Sequence, residues 1–153
     1  MIAPLLGTLV ALLAAGTPHL TTATSASPTS AAPARSGSTI KLFVDVIPDP
    51  KVHVYAPGAK DYLPIALEIA PAAGVTVGRL TYPKAQDLYF EPLKEHVPVF
   101  SAPFRLVQDV AIAREVKPGQ SLTITGALKY QACDDTTCFN PVTAPVTWTI
   151  AVK

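Results

Sequence analysis

Residues 121–152, SLTITGALKYQACDDTTCFNPVTAPVTWTIAV, decide the fold. Leu122, Ile124, Leu128 and Tyr130 stand on one face of a period-two pattern opposite Thr123, Thr125 and Lys129. Val146, Trp148, Ile150 and Val152 stand opposite Thr147, Thr149 and Ala151 in the same way. Successive side chains of a strand point to opposite faces, so each run reads as a strand with one buried face. The segment between them carries both cysteines of the chain, Cys133 and Cys138. Pairing of the two runs as a hairpin brings these residues nearly opposite each other, where Cα atoms come within the ~4.4–6.8 Å that a disulfide spans.

Working outward, the same alternation recurs. Ile40, Leu42, Val44 and Val46 oppose Lys41 and Asp45; Ile65, Leu67 and Ile69 oppose Ala66 and Glu68; Phe104, Leu106, Val110 and Ile112 oppose Arg105 and Asp109. Weaker strand signals lie at residues 52–56, 75–82 and 97–100, for about seven or eight short strands in all. Proline and glycine punctuate them at Pro48, Pro50, Pro57-Gly58, Pro71 with Gly74, Pro83, Pro92 and Pro118-Gly119. Proline fixes its own φ and donates nothing to a ladder, so this density excludes long helices and marks turns and edges. No segment keeps a helical period and no internal repeat is visible. The expected fold is all-β, an immunoglobulin-like antiparallel β-sandwich.

The N-terminus reads differently. MIAPLLGTLVALLAAG is an uncharged apolar run of signal-peptide length, too short to span a bilayer comfortably. The following TPHLTTATSASPTSAAPARSGS is rich in Thr, Ser, Ala and Pro, with little apolar surface to offset the entropy of ordering. These features predict a signal peptide over residues 1–26 with cleavage after Gly16 or Ala26, a linker over 27–38, and one domain over 39–153. The n-region lacks Lys and Arg, unlike most export signals, and no cysteine follows the apolar run to accept a lipid. The expected location is periplasmic or secreted, with no stable membrane insertion after the signal is removed. The net charge of +1 and the absence of any Lys/Arg cluster exclude the electrostatic footprint of a nucleic-acid binder.

An even cysteine count in an exported chain usually means a structural bridge. A ring of about six residues, however, stabilises by only about 2 kcal/mol, against about 4–5 for a bridge between sequence-distant strands. Composition alone leaves a staple and a redox pair equally open. Asp134 and Asp135 place negative charge beside any thiolate, which raises a thiol pKa; they are also ordinary turn residues.

The string YQACDDTTCFNP, residues 130–141, resembles the redox segment of the DsbD N-terminal domain family. VHVYAPG, LPIALEI, Tyr82-Pro83 and VPVFSAPFRL fit the same family, from about Ile40 to the C-terminus. The resemblance implies an immunoglobulin-like domain that relays reducing equivalents by thiol–disulfide exchange, without a cofactor. Cys133 and Cys138 would form the redox pair, Cys138 making the mixed disulfide and Cys133 resolving it. An aromatic loop would cap the pair, here Asp87-Leu88-Tyr89-Phe90, with Phe90 or Tyr89 as lid. His53, Tyr55, Tyr130 and Asp134 would line the site. The best-known members have one more residue between their cysteines. They also continue into membrane and thioredoxin-like domains, so the electron donor is expected on a separate membrane or thioredoxin-like protein and the acceptor among oxidised extracytoplasmic proteins.

Bland readings stand beside these: Tyr55, Tyr89 and Phe90 as core aromatics, and His53 as an ordinary position. Two other function classes remain. One is a non-catalytic adaptor whose recognition surface is stiffened by a structural Cys133–Cys138 bridge. The other is capture of a soft metal by the thiolates with His53 or His96, which lacks the Cys/His spacing of a zinc site.

Overall fold

Alternating apolar residues form strands wherever the pattern is strong. The computed structural model describes residues 15–28 and 34–153. Among these are β1 (Ala15–Thr17), β2 (Leu20–Pro28), β3 (Thr39–Pro48), β4 (His53–Tyr55), β5 (Ala66–Ile69) and β6 (Val75–Thr81). The series continues with β7 (Gln86–Phe90), β8 (Glu95–Phe100), β9 (Phe104–Ile112), β10 (Ser121–Tyr130), β11 (Ala132–Cys133) and β12 (Val142–Ala151). No described residue is helical, and all strand ladders are antiparallel. The protein is an all-β, immunoglobulin-like antiparallel sandwich.

Three sheets are formed, in the orders β1-β2-β3-β9-β6, β12-β10-β5 and β11-β4-β8-β7. The expected hairpin is present: β10 and β12 pair from Ser121↔Ala151 to Tyr130↔Val142. The first two sheets share one core, in which Leu42 and Val44 of β3 and Leu106 and Val110 of β9 pack with Ile124 and Leu128 of β10 and Trp148 of β12. Trp148 Nε1 donates to the Phe43 carbonyl at 3.1 Å, satisfying the one polar atom of a buried indole. Gly126 of β10 is required by packing, because a Cβ there would lie 2.6 Å from the Glu68 carbonyl oxygen of β5.

The third sheet extends this frame and creates a second interior. The Ile65 N–H donates to the Tyr55 carbonyl at 2.8 Å, tying β4 to the chain entering β5. Val54, Phe100 and Ala132 face the main core. The opposite face carries a separate small cluster of Tyr55, Val97, Val99 and Cys133, and that face holds the site.

The stretch before Thr39 adds a strand that no apolar pattern marked. Residues 20–28, assigned to cleavage region and linker, form β2, which pairs with β3 from Leu20↔Pro48 to Pro28↔Ile40. Leu20 is 2% exposed and Thr22 is 4% exposed. A strand poor in large apolar residues is held here by backbone pairing to a strongly apolar neighbour, a contribution invisible to local composition. The Thr24 hydroxyl adds a bond to the Thr147 carbonyl of β12 at 2.9 Å. Residues 1–14 of the assigned leader, and 29–33 of the assigned linker, lie outside the described residues.

Candidate functional site

The site follows from strand periodicity. β4 is flanked by β8, through Val54↔Phe100 and Tyr55↔Val99, and by β11, through Ala132↔Val54 and Cys133↔His53. Alternation sends Val54 and Ala132 into the main core and His53, Tyr55 and Cys133 to the other face. A short step out of the β10 ladder into β11 thus moves the chain from one sheet to another and turns Cys133 toward Tyr55.

A tight turn then returns the chain. The Asp134 N–H donates to the Thr137 carbonyl at 2.8 Å. The Asp134 carboxylate accepts the N–H groups of Thr136 at 2.8 Å and Thr137 at 2.7 Å, and the Thr136 hydroxyl at 3.1 Å. These backbone N–H bonds hold the Asp134 carboxyl below the usual carboxylate range. Asp134 is therefore the residue that shapes the turn, the bland role open to it in sequence. The Phe139 N–H donates to the Ala132 carbonyl at 2.9 Å, closing the loop. Cys133 and Cys138 end with Cα atoms 4.1 Å apart and form a disulfide.

The two sulfurs are not equivalent. Cys133 is 1% exposed, whereas Cys138 is exposed. The Tyr55 hydroxyl donates to Cys133 Sγ at 3.3 Å and lies 3.6 Å from Cys138 Sγ. Burial, assisted by the charge of Glu95, pushes the Tyr55 pKa up, so the phenol remains a donor. His53 meets the Tyr55 ring edge-on, with centroids 5.5 Å apart. Burial lowers the His53 pKa, against the opposing charges of Asp135 and Asp134, and favours neutral imidazole.

A cleft of about 280 Å³ opens over the disulfide, lined by His53, Tyr55, Tyr62, Cys133, Cys138 and residues 134–137 on one side. Leu88, Tyr89, Phe90, Pro92 and Val97 of the β7–β8 hairpin line the other. The stretch expected as a capping loop is thus a strand, β7, at the edge of its sheet. Tyr89 is 46% exposed and leans on His96 at 5.0 Å, and His96 Nδ1 pairs with the Asp87 carboxylate at 2.6 Å.

Of the residues expected at the site, Cys133, Cys138, His53, Tyr55, Tyr89, Phe90 and Asp134 converge on the cleft. Tyr130 does not. Its ring lies in the main core and its hydroxyl donates to the Pro18 carbonyl at 2.7 Å. As the last residue of β10, it falls on the inward face set by Leu122, Ile124 and Leu128. Sequence reasoning missed Tyr62, whose only signal was an aromatic residue in the turn-rich stretch PGAKDYLP. Among the described residues, no group of three or more His, Cys, Asp and Glu side chains is placed to hold a metal ion.

Fold and site define a class: an all-β domain with a short-ring disulfide half open to solvent beneath an aromatic hairpin. The family model described as thiol:disulfide interchange protein DsbD, N-terminal, matches residues 18–149. The chain belongs to that family, a family of thiol–disulfide exchange domains. No curated protein matches the chain. Among solved structures it is similar to the N-terminal periplasmic domain of ScsB from Proteus mirabilis, at 10% identity and a TM-score of 0.56. That alignment covers 89% of this chain and 47% of the other, and it supports the fold. The reduced DsbD N-terminal domain of Neisseria meningitidis aligns at 16% identity and a TM-score of 0.47, over 71% of this chain and 81% of that one. No helix among the described residues is long and apolar enough to cross a membrane.

Proposed function

We propose that the chain is an extracytoplasmic relay that takes reducing equivalents from a donor dithiol and passes them to an oxidised protein through Cys133 and Cys138. The observation that carries this reading is the unequal exposure of the two sulfurs: Cys138 is open to an incoming thiolate and Cys133 is shielded beneath Tyr55. A donor thiolate attacks Cys138 Sγ and the Cys133 thiolate departs. The donor's second thiol then displaces Cys138, leaving an oxidised donor and a reduced pair, with two electrons and two protons transferred. In the second half, the Cys138 thiolate attacks the acceptor disulfide, and Cys133 attacks Cys138 Sγ to release the acceptor as a dithiol. Tyr55 donates to whichever sulfur carries the charge. Burial of Cys133 favours resolution within the chain over attack by a third protein.

Export fits the same reading. We infer that the leader ends at Gly16 rather than Ala26, because cleavage after Ala26 would strip buried Leu20 and Thr22 from the sheet. N-terminal sequencing of the exported chain distinguishes the two.

The decisive experiment combines a redox titration with a Cys133→Ser trap. The expected result is a midpoint within the range of exchange proteins, about −120 to −270 mV, with a partner captured on Cys138. A bridge that resists reduction below about −300 mV, with nothing captured, would overturn the relay and leave the adaptor reading with a structural disulfide.

A further inference from the structure

Cys133 has to act as a nucleophile from inside the protein. It is buried and packed with Tyr55, Val97 and Val99. A thiol in such surroundings holds its proton more tightly than one in water. The exchange reading above, on which this inference rests, therefore calls for a neighbour that takes that proton when Cys133 closes on Cys138. The cleft offers few bases. The Tyr55 hydroxyl donates to the sulfurs, and the Tyr62 hydroxyl donates to the Glu95 carboxylate. That second bond, with smaller contributions from burial and neighbouring charges, pushes the Tyr62 pKa up to about 12. The Asp134 carboxylate is engaged by the N–H groups of Thr136 and Thr137. His53 is different. It is the cross-strand partner of Cys133 in the β4–β11 pair and shares its face, a relation that sets Cβ atoms about 4.5–5.5 Å apart. Neither imidazole nitrogen has a hydrogen-bond partner among the described residues, and neither is sealed from solvent.

We propose that His53 is the proton acceptor for the Cys133 thiol in the closing step of exchange. Its imidazole takes the thiol proton as Cys133 Sγ bonds to Cys138 Sγ. The bond from Cys138 to the acceptor sulfur breaks, and that sulfur leaves with the electron pair. The imidazolium then gives its proton to the departing thiolate, which completes the acceptor as a dithiol and restores the Cys133–Cys138 disulfide. Burial lowers the His53 pKa from 6.5, so the ring is neutral and ready to accept at pH 7. Asp135 and Asp134, the charged groups facing it from the turn, stabilise the imidazolium once it forms. The other titratable groups lining the cleft are the phenols Tyr55, Tyr62 and Tyr89.

The test mixes the reduced chain with one equivalent of dithiobis(nitrobenzoate) and follows release of nitrothiobenzoate. Attack by exposed Cys138 releases the first, and closure by Cys133 releases the second. His53→Gln is expected to slow the second release about 100-fold at pH 7, the low end of what a positioned base contributes, and to leave the first within about twofold. The pH profile separates proton transfer from packing. Wild-type closure is expected to be flat above pH 6.5, where the imidazole is neutral, and to fall as the ring protonates. In His53→Gln it is expected to rise about tenfold per pH unit, following the thiolate fraction. Free imidazole is expected to restore closure in His53→Ala in proportion to its concentration. Trp148 emission checks that each variant is folded. Should both variants fail that check, the wild-type chain carries the test, and closure that rises about tenfold per pH unit and is no slower in deuterium oxide overturns the proposal. So does a wild-type second phase in His53→Gln, or a slowed one that stays flat with pH while His53→Ala ignores imidazole. These outcomes leave the relay intact, whereas a wild-type chain that never releases the second nitrothiobenzoate would overturn the relay itself.

Discussion

Two antiparallel hairpins in this molecule are built on the same rule and serve opposite ends. The β10–β12 ribbon alternates buried and exposed residues along nearly its whole length, with Leu122, Ile124, Leu128, Ala144, Val146, Trp148 and Ile150 on the inner face. In the β7–β8 hairpin, no residue of β7 is buried, and only Val97, Val99 and Phe100 of β8 are. One ribbon is fixed by core packing. The other is held by backbone pairing, an ion pair and a few contacts across a cleft, which places it at the low-stability end of the structure. Frame and cover are thus separate: the frame ribbon ends at the disulfide, and the weaker hairpin lies over it.

The strongest challenge to this contrast is a matched pair of truncations. Leu128→Ala in the ribbon is expected to cost about 2–5 kcal/mol, read by urea unfolding through Trp148 fluorescence. Leu88→Ala in the hairpin is expected to cost about 1 kcal/mol, since a half-buried leucine removes less apolar surface from water. Equal costs would break the distinction. Reduction of the Cys133–Cys138 bridge comes next, with an expected loss of about 2 kcal/mol for so short a ring. A loss approaching that of Leu128→Ala would make the disulfide as much a support of the frame as its core packing.

The smallest effect sharpens the boundary between the two regions. His53 has its pKa lowered by burial from 6.5. Between its folded value and 6.5 the unfolded chain binds more protons, so stability rises with pH through that window and is lost as pH falls below 6.5. Urea midpoints measured between about pH 5 and 8 are expected to show this slope, and His53→Gln to flatten it. An unchanged slope would place the titration elsewhere in the molecule.

Legibility in the sequence followed burial. The strands around Leu42, Leu106, Leu128 and Trp148 were readable because a buried face imposes a period of two on the residues themselves. β7 was not, because both its faces are largely open and Leu88 and Phe90 carry little contrast with Tyr89. β2 carried no strand signal of its own because its place depends on the ladder to β3 rather than on its own side chains. At the site, the cysteines, Tyr55, His53 and the aromatic pair Tyr89-Phe90 were legible through family resemblance. Tyr62 and Glu95 were not, since their contact joins residues far apart in sequence and leaves no local pattern.

By itself the sequence determined an all-β frame and a bonded cysteine pair at the end of its clearest ribbon, because apolar period and chain proximity are local properties. The tertiary structure alone decided that Cys133 is covered and Cys138 open, that Tyr55 bonds the sulfurs, and that Tyr130 faces the main core. Those outcomes depend on β11 leaving the β10 ladder to pair with β4, a choice made by the neighbouring sheet and written in no single stretch of the chain.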